Sequence, residues 1–247
     1  MDITSDSHGK HISQQFNHEL DALKTHLLAM GGLVEKQLQD AVTALLEGDS
    51  ETATRVRDND KAVNDMQLKI DDECTRVLAR RQPAASDLRL VLAVIRATSD
   101  LERIGDESSK IARNAISLVE NGQSPRGMVE VRHLSQHVRS MVRDSLTAFA
   151  RFDTDLALKV LREDASVDLE YQSAMRSLMT FMMEDARQIT PVLNVMWILR
   201  ALERIGDHAD NLAEYVIFLV KGVDVRHTDT HDLQPQDLDK GQPPFTK

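Results

Sequence analysis

The residues best able to do chemistry are acids that occur twice in one setting. Leu101-Glu102-Arg103-Ile104-Gly105-Asp106 recurs letter for letter as Leu202-Glu203-Arg204-Ile205-Gly206-Asp207. Residues four apart share a helix face, so Glu102 pairs with Asp106 and Glu203 with Asp207, and Asp210 and Glu214 lengthen the second strip. Like charges at this spacing repel by roughly 0.2–0.5 kcal/mol per pair, so such a row calls for basic partners or a bound cation. Upstream, Asp60 and Asn64 in the first copy and Asp164 and Asp168 in the second form further i, i+4 pairs on the margins of apolar stripes. Antiparallel packing would bring these pairs against the motif acids. Oxygen-only ligands suit hard or borderline cations such as Mg²⁺, Mn²⁺, Ca²⁺ or iron and disfavour a thiolate-type zinc site. They leave the choice among magnesium, manganese, iron and zinc open. The candidate metal ligands are thus Asp60, Asn64, Glu102, Asp106, Asp164, Asp168, Glu203, Asp207 and Asp210, on the bundle surface. Ser109 and Arg113 stand where the second copy has Asp210 and Glu214, so the second set is expected to bind more strongly. Arg103 and Arg204 are expected to point away from the acids. Gly105 and Gly206 lie inside helices, where glycine costs about 1 kcal/mol relative to alanine. Their expected role is to let another backbone or a metal cluster approach closely.

These acids need helices to align them, and the composition supplies little else. With 10 glycines, 6 prolines and 4% aromatic residues, the chain lacks the turns and strand formers of a sandwich or barrel. Pro83, Pro125 and Pro191 mark helix boundaries, and Gly48-Asp49 and Phe152-Asp153 mark two more. The expected helices run over 16–47, 50–81, 85–121, 127–151, 154–187 and 191–221. The motif repeats at an offset of 101, whereas Ala53, Val56 and Asp60 match Ala157, Val160 and Asp164 at an offset of 104. The chain therefore reads as a tandem duplication with three residues lost between the second and third helices of the second copy. The expected fold is all-α: two tandem, pseudo-symmetric three-helix bundles at 1–121 and 127–222, joined by a linker at 122–126. A polar tail at 223–247 is expected to be mobile.

Several function classes are excluded. A net charge of −10 argues against nucleic-acid binding, which relies on Lys and Arg displacing counterions from phosphates. Cys74 is the only cysteine, so neither an intrachain disulfide nor a cysteine zinc site is expected. The first residues do not read as a secretory signal, and no apolar run approaches the roughly 20 residues that span a bilayer. A cytoplasmic protein is expected. No phosphate-binding loop, dinucleotide fingerprint, HExxH or nucleophile elbow occurs. Glu130-x-x-His133 occurs once, where a di-iron bundle needs two such elements. Met175, Met179, Met182 and Met183 are read as core filling. Arg80, Arg81 and Arg89 are read chiefly as complementing a helix dipole, with anion binding as the lesser reading.

With the segments 30–38, 81–90 and 182–187, the repeated motif makes this chain resemble the PhoU family, accessory regulators of the bacterial high-affinity phosphate transport system. The resemblance runs from about His11 to Gly222. It implies repeated three-helix bundles, frequent dimerisation and, in some members, surface metal clusters on E(D)xxxD motifs. Carried over, the motif acids are Glu102, Asp106, Glu203 and Asp207, with Asp60 and Asp164 contributed by the second helices. It also implies a negative regulator of the phosphate-starvation response. Such a regulator links the ATP-binding subunit of the phosphate ABC transporter to a membrane sensor histidine kinase. The expected function is therefore a non-enzymatic adaptor, a homodimer that reaches the membrane only through its partners. The alternative is a metal-dependent hydrolase or oxidase whose surface carboxylates activate water. Against it stands the lack of a general base on the strip, since His208 is expected to face elsewhere.

Overall fold

The computed structural model describes residues 5–83, 85–122 and 125–225, with side chains from Gln14 onward. The expected tail beyond Val225, with His227 and His231, lies outside the described residues. Six long helices follow in order: α1 (Ser5–Glu47), α2 (Ser50–Arg81), α3 (Ala85–Glu120), α4 (Met128–Arg151), α5 (Thr154–Glu184) and α6 (Ile189–Lys221). No strand occurs among the described residues.

The helix ends show why the chain breaks there. Gly48 takes a left-handed φ of 68°, and the Asp49 carboxylate then accepts from the Glu51 and Thr52 amides, both at 3.0 Å, which caps α2. In the second copy the Asp153 side chain caps α5 by accepting from the Leu156 amide at 3.0 Å. Gly127 precedes α4 with φ 101°, and a Cβ there would collide with Leu178. Three boundaries differ from expectation by two residues or more. The first helix starts at Ser5 rather than near 16, because that stretch holds no proline and only one glycine, Gly9, to break it. The fifth ends at Glu184, where Asp185 leaves helical geometry and a short 3₁₀ turn follows (Ala186–Gln188). Consequently α6 begins at Ile189, and Pro191 sits in its first turn, where a missing amide donor costs nothing.

α1, α2 and α3 pack on one another, as do α4, α5 and α6, and the two bundles meet along α3 against α6, with α1 also touching α4. The duplication is legible in the core. Val34 and Val138, Leu38 and Val142, Val63 and Val167, and Ile104 and Ile205 are matched pairs, all buried. One continuous apolar core results. Two expectations need correction. Met179 and Met183 are 49% and 80% exposed, because they face outward near the end of α5. The arginines around Pro83 do not form one cluster. Arg81 makes a two-pronged pair with Glu19, both contacts 2.8 Å, and Arg89 donates to the Leu219 carbonyl at 3.3 Å. Among the described residues no helix is long and apolar enough to cross a membrane.

Candidate metal centre

In each bundle the acids of the second and third helices come together, yet the two copies solve the resulting repulsion differently. In the first, Asp60 on α2 faces the motif on α3. Its Oδ1 accepts from Ser109 Oγ at 2.9 Å and from Gln37 Nε2 at 3.2 Å. Gln37, buried on α1, also reaches Ser109 Oγ at 3.2 Å. Arg103 turns back along α3 to Glu102 at 3.4 Å and Asp106 at 3.3 Å. This corrects the expected direction of Arg103. A helical wheel gives the direction of Cβ, but a long guanidinium side chain can reach back across its own turn. Burial and the neighbouring Asp106 raise the Glu102 carboxyl above its ordinary value, while Arg103 acts in the opposite sense. Asn64 lies half-buried four residues on from Asp60.

The second bundle lacks these compensations. Position 141, which corresponds to Gln37, is a buried Met, and position 210, which corresponds to Ser109, is Asp. Arg204 leaves the strip as expected and instead pairs across the seam with Glu107 on α3 at 2.7 Å. Arg200 pairs with Glu203. Asp164, Asp168, Glu203, Asp207 and Asp210 are left to face one another. Burial first, then Asp207 and Asp168, push Asp164 up to about 6. Burial first, then Asp164, Glu214 and Asp207, push Asp210 up to about 8. Buried Glu203 is raised as well, chiefly by burial, and Asp207, although exposed at the rim of the strip, is raised by partial desolvation first and then by Asp168. Oδ1 of Asp210 and Oε2 of Glu203 are buried without a hydrogen-bond partner. Buried unpaired carboxylate oxygens are costly, and a cation is the group that would satisfy them. The oxygen-only donors of the second bundle therefore fit a hard divalent cation or iron, while the first has protein donors in that role. Among the described residues, no three His, Cys, Asp or Glu side chains already converge on one cation position. Binding would have to draw the carboxylates of α5 and α6 inward.

Of the two roles expected for the motif glycines, the structure shows the close approach of another helix. They admit the second helix of their own bundle: a Cβ on Gly105 would lie 3.4 Å from Val63 and 3.3 Å from Gln37 Oε1, and one on Gly206 would lie 3.4 Å from Val167. Sequence reasoning missed Gln37. The signal was present, since a polar residue interrupts the buried stripe Met30, Val34, Leu38 where its counterpart is Met141. It also missed Asp100, buried on α3, whose carboxylate accepts from His208 Nδ1 at 2.7 Å, Asn211 Nδ2 at 3.1 Å and Tyr215 Oη at 2.8 Å, all on α6. His208 thus faces the seam, away from the acid strip.

Residues 27–115 and 131–216 each match the PhoU domain. The chain is 61% identical over 225 residues to a phosphate-specific transport system accessory protein PhoU homolog of Pseudomonas aeruginosa, covering 91% of this chain and 93% of that protein. It is 46% identical over 224 residues to the phosphate-specific transport system accessory protein PhoU of Escherichia coli K12, covering 91% and 92%. The crystal structure of PhoU from Pseudomonas aeruginosa superposes with a TM-score of 0.83 at 60% identity, over 84% of this chain and 100% of that one. The phosphate transport system regulatory protein PhoU from Streptococcus pneumoniae does so with a TM-score of 0.78 at 30% identity, over 85% and 99%.

Proposed function

We propose, since the chain belongs to the PhoU family, that it is the accessory regulator of a phosphate-specific transport system. It acts as a cytoplasmic adaptor that represses the phosphate-starvation response when phosphate is plentiful. The observation that carries this reading is the match of both bundles to the family domain at high identity to relatives named as transport accessory proteins. Those names favour an adaptor over a hydrolase or oxidase. As an adaptor it engages the ATP-binding subunit of the phosphate ABC transporter and the sensor histidine kinase, as a homodimer. Co-purification of the full chain with each partner tests this, and binding to neither overturns it.

Within that role, the second bundle holds a divalent cation or iron through Asp164, Asp168, Glu203, Asp207 and Asp210. The orphaned oxygens of Glu203 and Asp210 support this. Asp60, Asn64, Glu102 and Asp106 form the weaker set, because Gln37, Ser109 and Arg103 already satisfy its acids. Elemental analysis of the purified protein should find metal that is lost in the double variant Glu203→Ala and Asp207→Ala. Metal absent from the unaltered chain would end the assignment.

A further inference from the structure

The duplication provides an internal comparison along the seam where α3 and α6 run antiparallel. From Leu88 onward each α3 position has a counterpart on α6 at the offset of 101, so the seam has two pseudo-equivalent ends. One end is closed by the chain itself. There Asp100 takes the donors of His208, Asn211 and Tyr215, and the Arg96 guanidinium lies over the rings of Tyr215 and Phe218, 6.0 and 5.4 Å from their centroids.

The other end is open. The counterpart of Asp100 is Ala201, so the carboxylate is missing where the closed end has one. The counterparts of Asn211 and Tyr215 are Lys110 and Asn114, and that of Arg96 is Trp197. These residues, with Arg113, Arg200 and Arg204, line a cleft of about 600 Å³. Glu107 also lines it, but its carboxylate is already paired with Lys110 at 2.8 Å and Arg204 at 2.7 Å. Arg113 has no acidic partner among the described residues. Trp197, the only tryptophan of the chain, is 65% exposed. A protein of net charge −10 thus gathers four cations around an exposed indole: Lys110 and Arg204 share the single Glu107 carboxylate, Arg200 pairs with Glu203, and Arg113 completes the set, beside the position where the closed end keeps an anion.

We propose that this cleft binds a nucleoside phosphate, with phosphate oxygens above Ala201 in the place that the Asp100 carboxylate occupies at the closed end, and the base stacked on Trp197. Guanidinium forks and an ammonium match phosphate oxygens. An indole face stacks any base. The volume falls within the range of small-molecule sites. The lining covers two turns of each helix, about 10 Å at 1.5 Å per residue, which fits a mononucleotide better than an extended acidic peptide. The inference is independent of the adaptor reading, and none of the proposed metal ligands lines the cleft; the one link to the acid strip is Arg200, which pairs with Glu203.

Trp197 reports on the cleft alone, so indole fluorescence of the full chain in metal-free buffer is the test. ATP should quench it saturably, tripolyphosphate should compete without quenching, and adenosine should do neither at the same concentration. Ala201→Asp, which restores the carboxylate of the closed end, should weaken ATP binding by at least about tenfold. Arg113→Glu should do the same, and because Arg113 is exposed and unpaired its variant remains informative if Ala201→Asp fails to fold. No saturable quenching at millimolar ATP, or quenching unchanged in Arg113→Glu, overturns the proposal. A polyglutamate peptide that quenches where ATP does not also overturns it and gives the cleft to an acidic protein segment.

Discussion

Asp210 shows how one residue difference between the copies becomes a property of the protein. Its counterpart Ser109 donates to Asp60, whereas Asp210 adds a second half-buried acid to the same place and is pushed up to about 8, with Asp164 at about 6. An unfolded aspartate ionises near 3.9, so between about pH 4 and pH 8 the folded metal-free chain binds more protons than the unfolded one. Stability from these two groups is then highest below pH 4, falls as pH rises through that window and levels off above about pH 8. The carboxyls with lowered values, Glu19, Asp49 and Asp185, act in the opposite sense, but only near and below their ordinary range. Urea midpoints of the metal-free protein should therefore fall from pH 5 to pH 8, and Asp210→Asn should flatten that slope and be the more stable protein at pH 8. An unaltered slope in the variant would mean that Asp210 is not the source. A cation must displace the same protons, so Mg²⁺ or Mn²⁺ binding should release protons and tighten from pH 6 to pH 8 by calorimetry. Binding that does not vary over this range would count against the acid strip as its site.

At the scale of elements, the motif glycines set how closely α2 approaches α3 and α5 approaches α6. Around Gly206 a methyl group meets only ordinary contacts, Val167 at 3.4 Å and Val138 at 3.9 Å, whereas at Gly105 it meets both Val63 and the buried Gln37 amide. Replacing a mid-helix glycine by alanine recovers about 0.5–1 kcal/mol of helix propensity where space permits. Thermal melts should then show Gly206→Ala stabilised by about that amount and Gly105→Ala gaining less or losing. Equal gains at both positions would show that Gln37 yields freely. Much of this level was legible beforehand. The helix boundaries at Asp49 and Asp153 follow from capping chemistry, and the carboxylates were placed by i, i+4 spacing alone. What was hidden depended on three-dimensional reach. Gln37 enters the first acid set from a helix that the motif does not touch, and Arg103 bends back to acids from which its Cβ direction points away.

For the whole molecule, the features that join the bundles lie where the copies differ, so they carry no signature in the repeat. Asp100 has Ala201 as its counterpart and Glu107 has His208, so neither seam acid belongs to a repeated pattern. Both carry cross-bundle contacts: Asp100 to three donors on α6, and Glu107 to Arg204. Removing the Asp100 carboxylate takes away the acceptor that His208, Asn211 and Tyr215 share, a loss of about 1–3 kcal/mol. Removing the exposed Asp58 should cost less than about 0.5 kcal/mol. Because one apolar core runs through both bundles, Asp100→Ala should unfold at a lower temperature yet still in a single calorimetric transition. If the seam were held mainly by its polar groups, the same variant would melt in two steps, one for each bundle. A single, lowered transition would identify Asp100 as a group that fixes the register of α3 on α6, with cohesion supplied by the apolar core. That register also sets Ala201 opposite Lys110 at the open end. The variant should therefore weaken ATP quenching of Trp197 even though Asp100 lies at the opposite end of the seam.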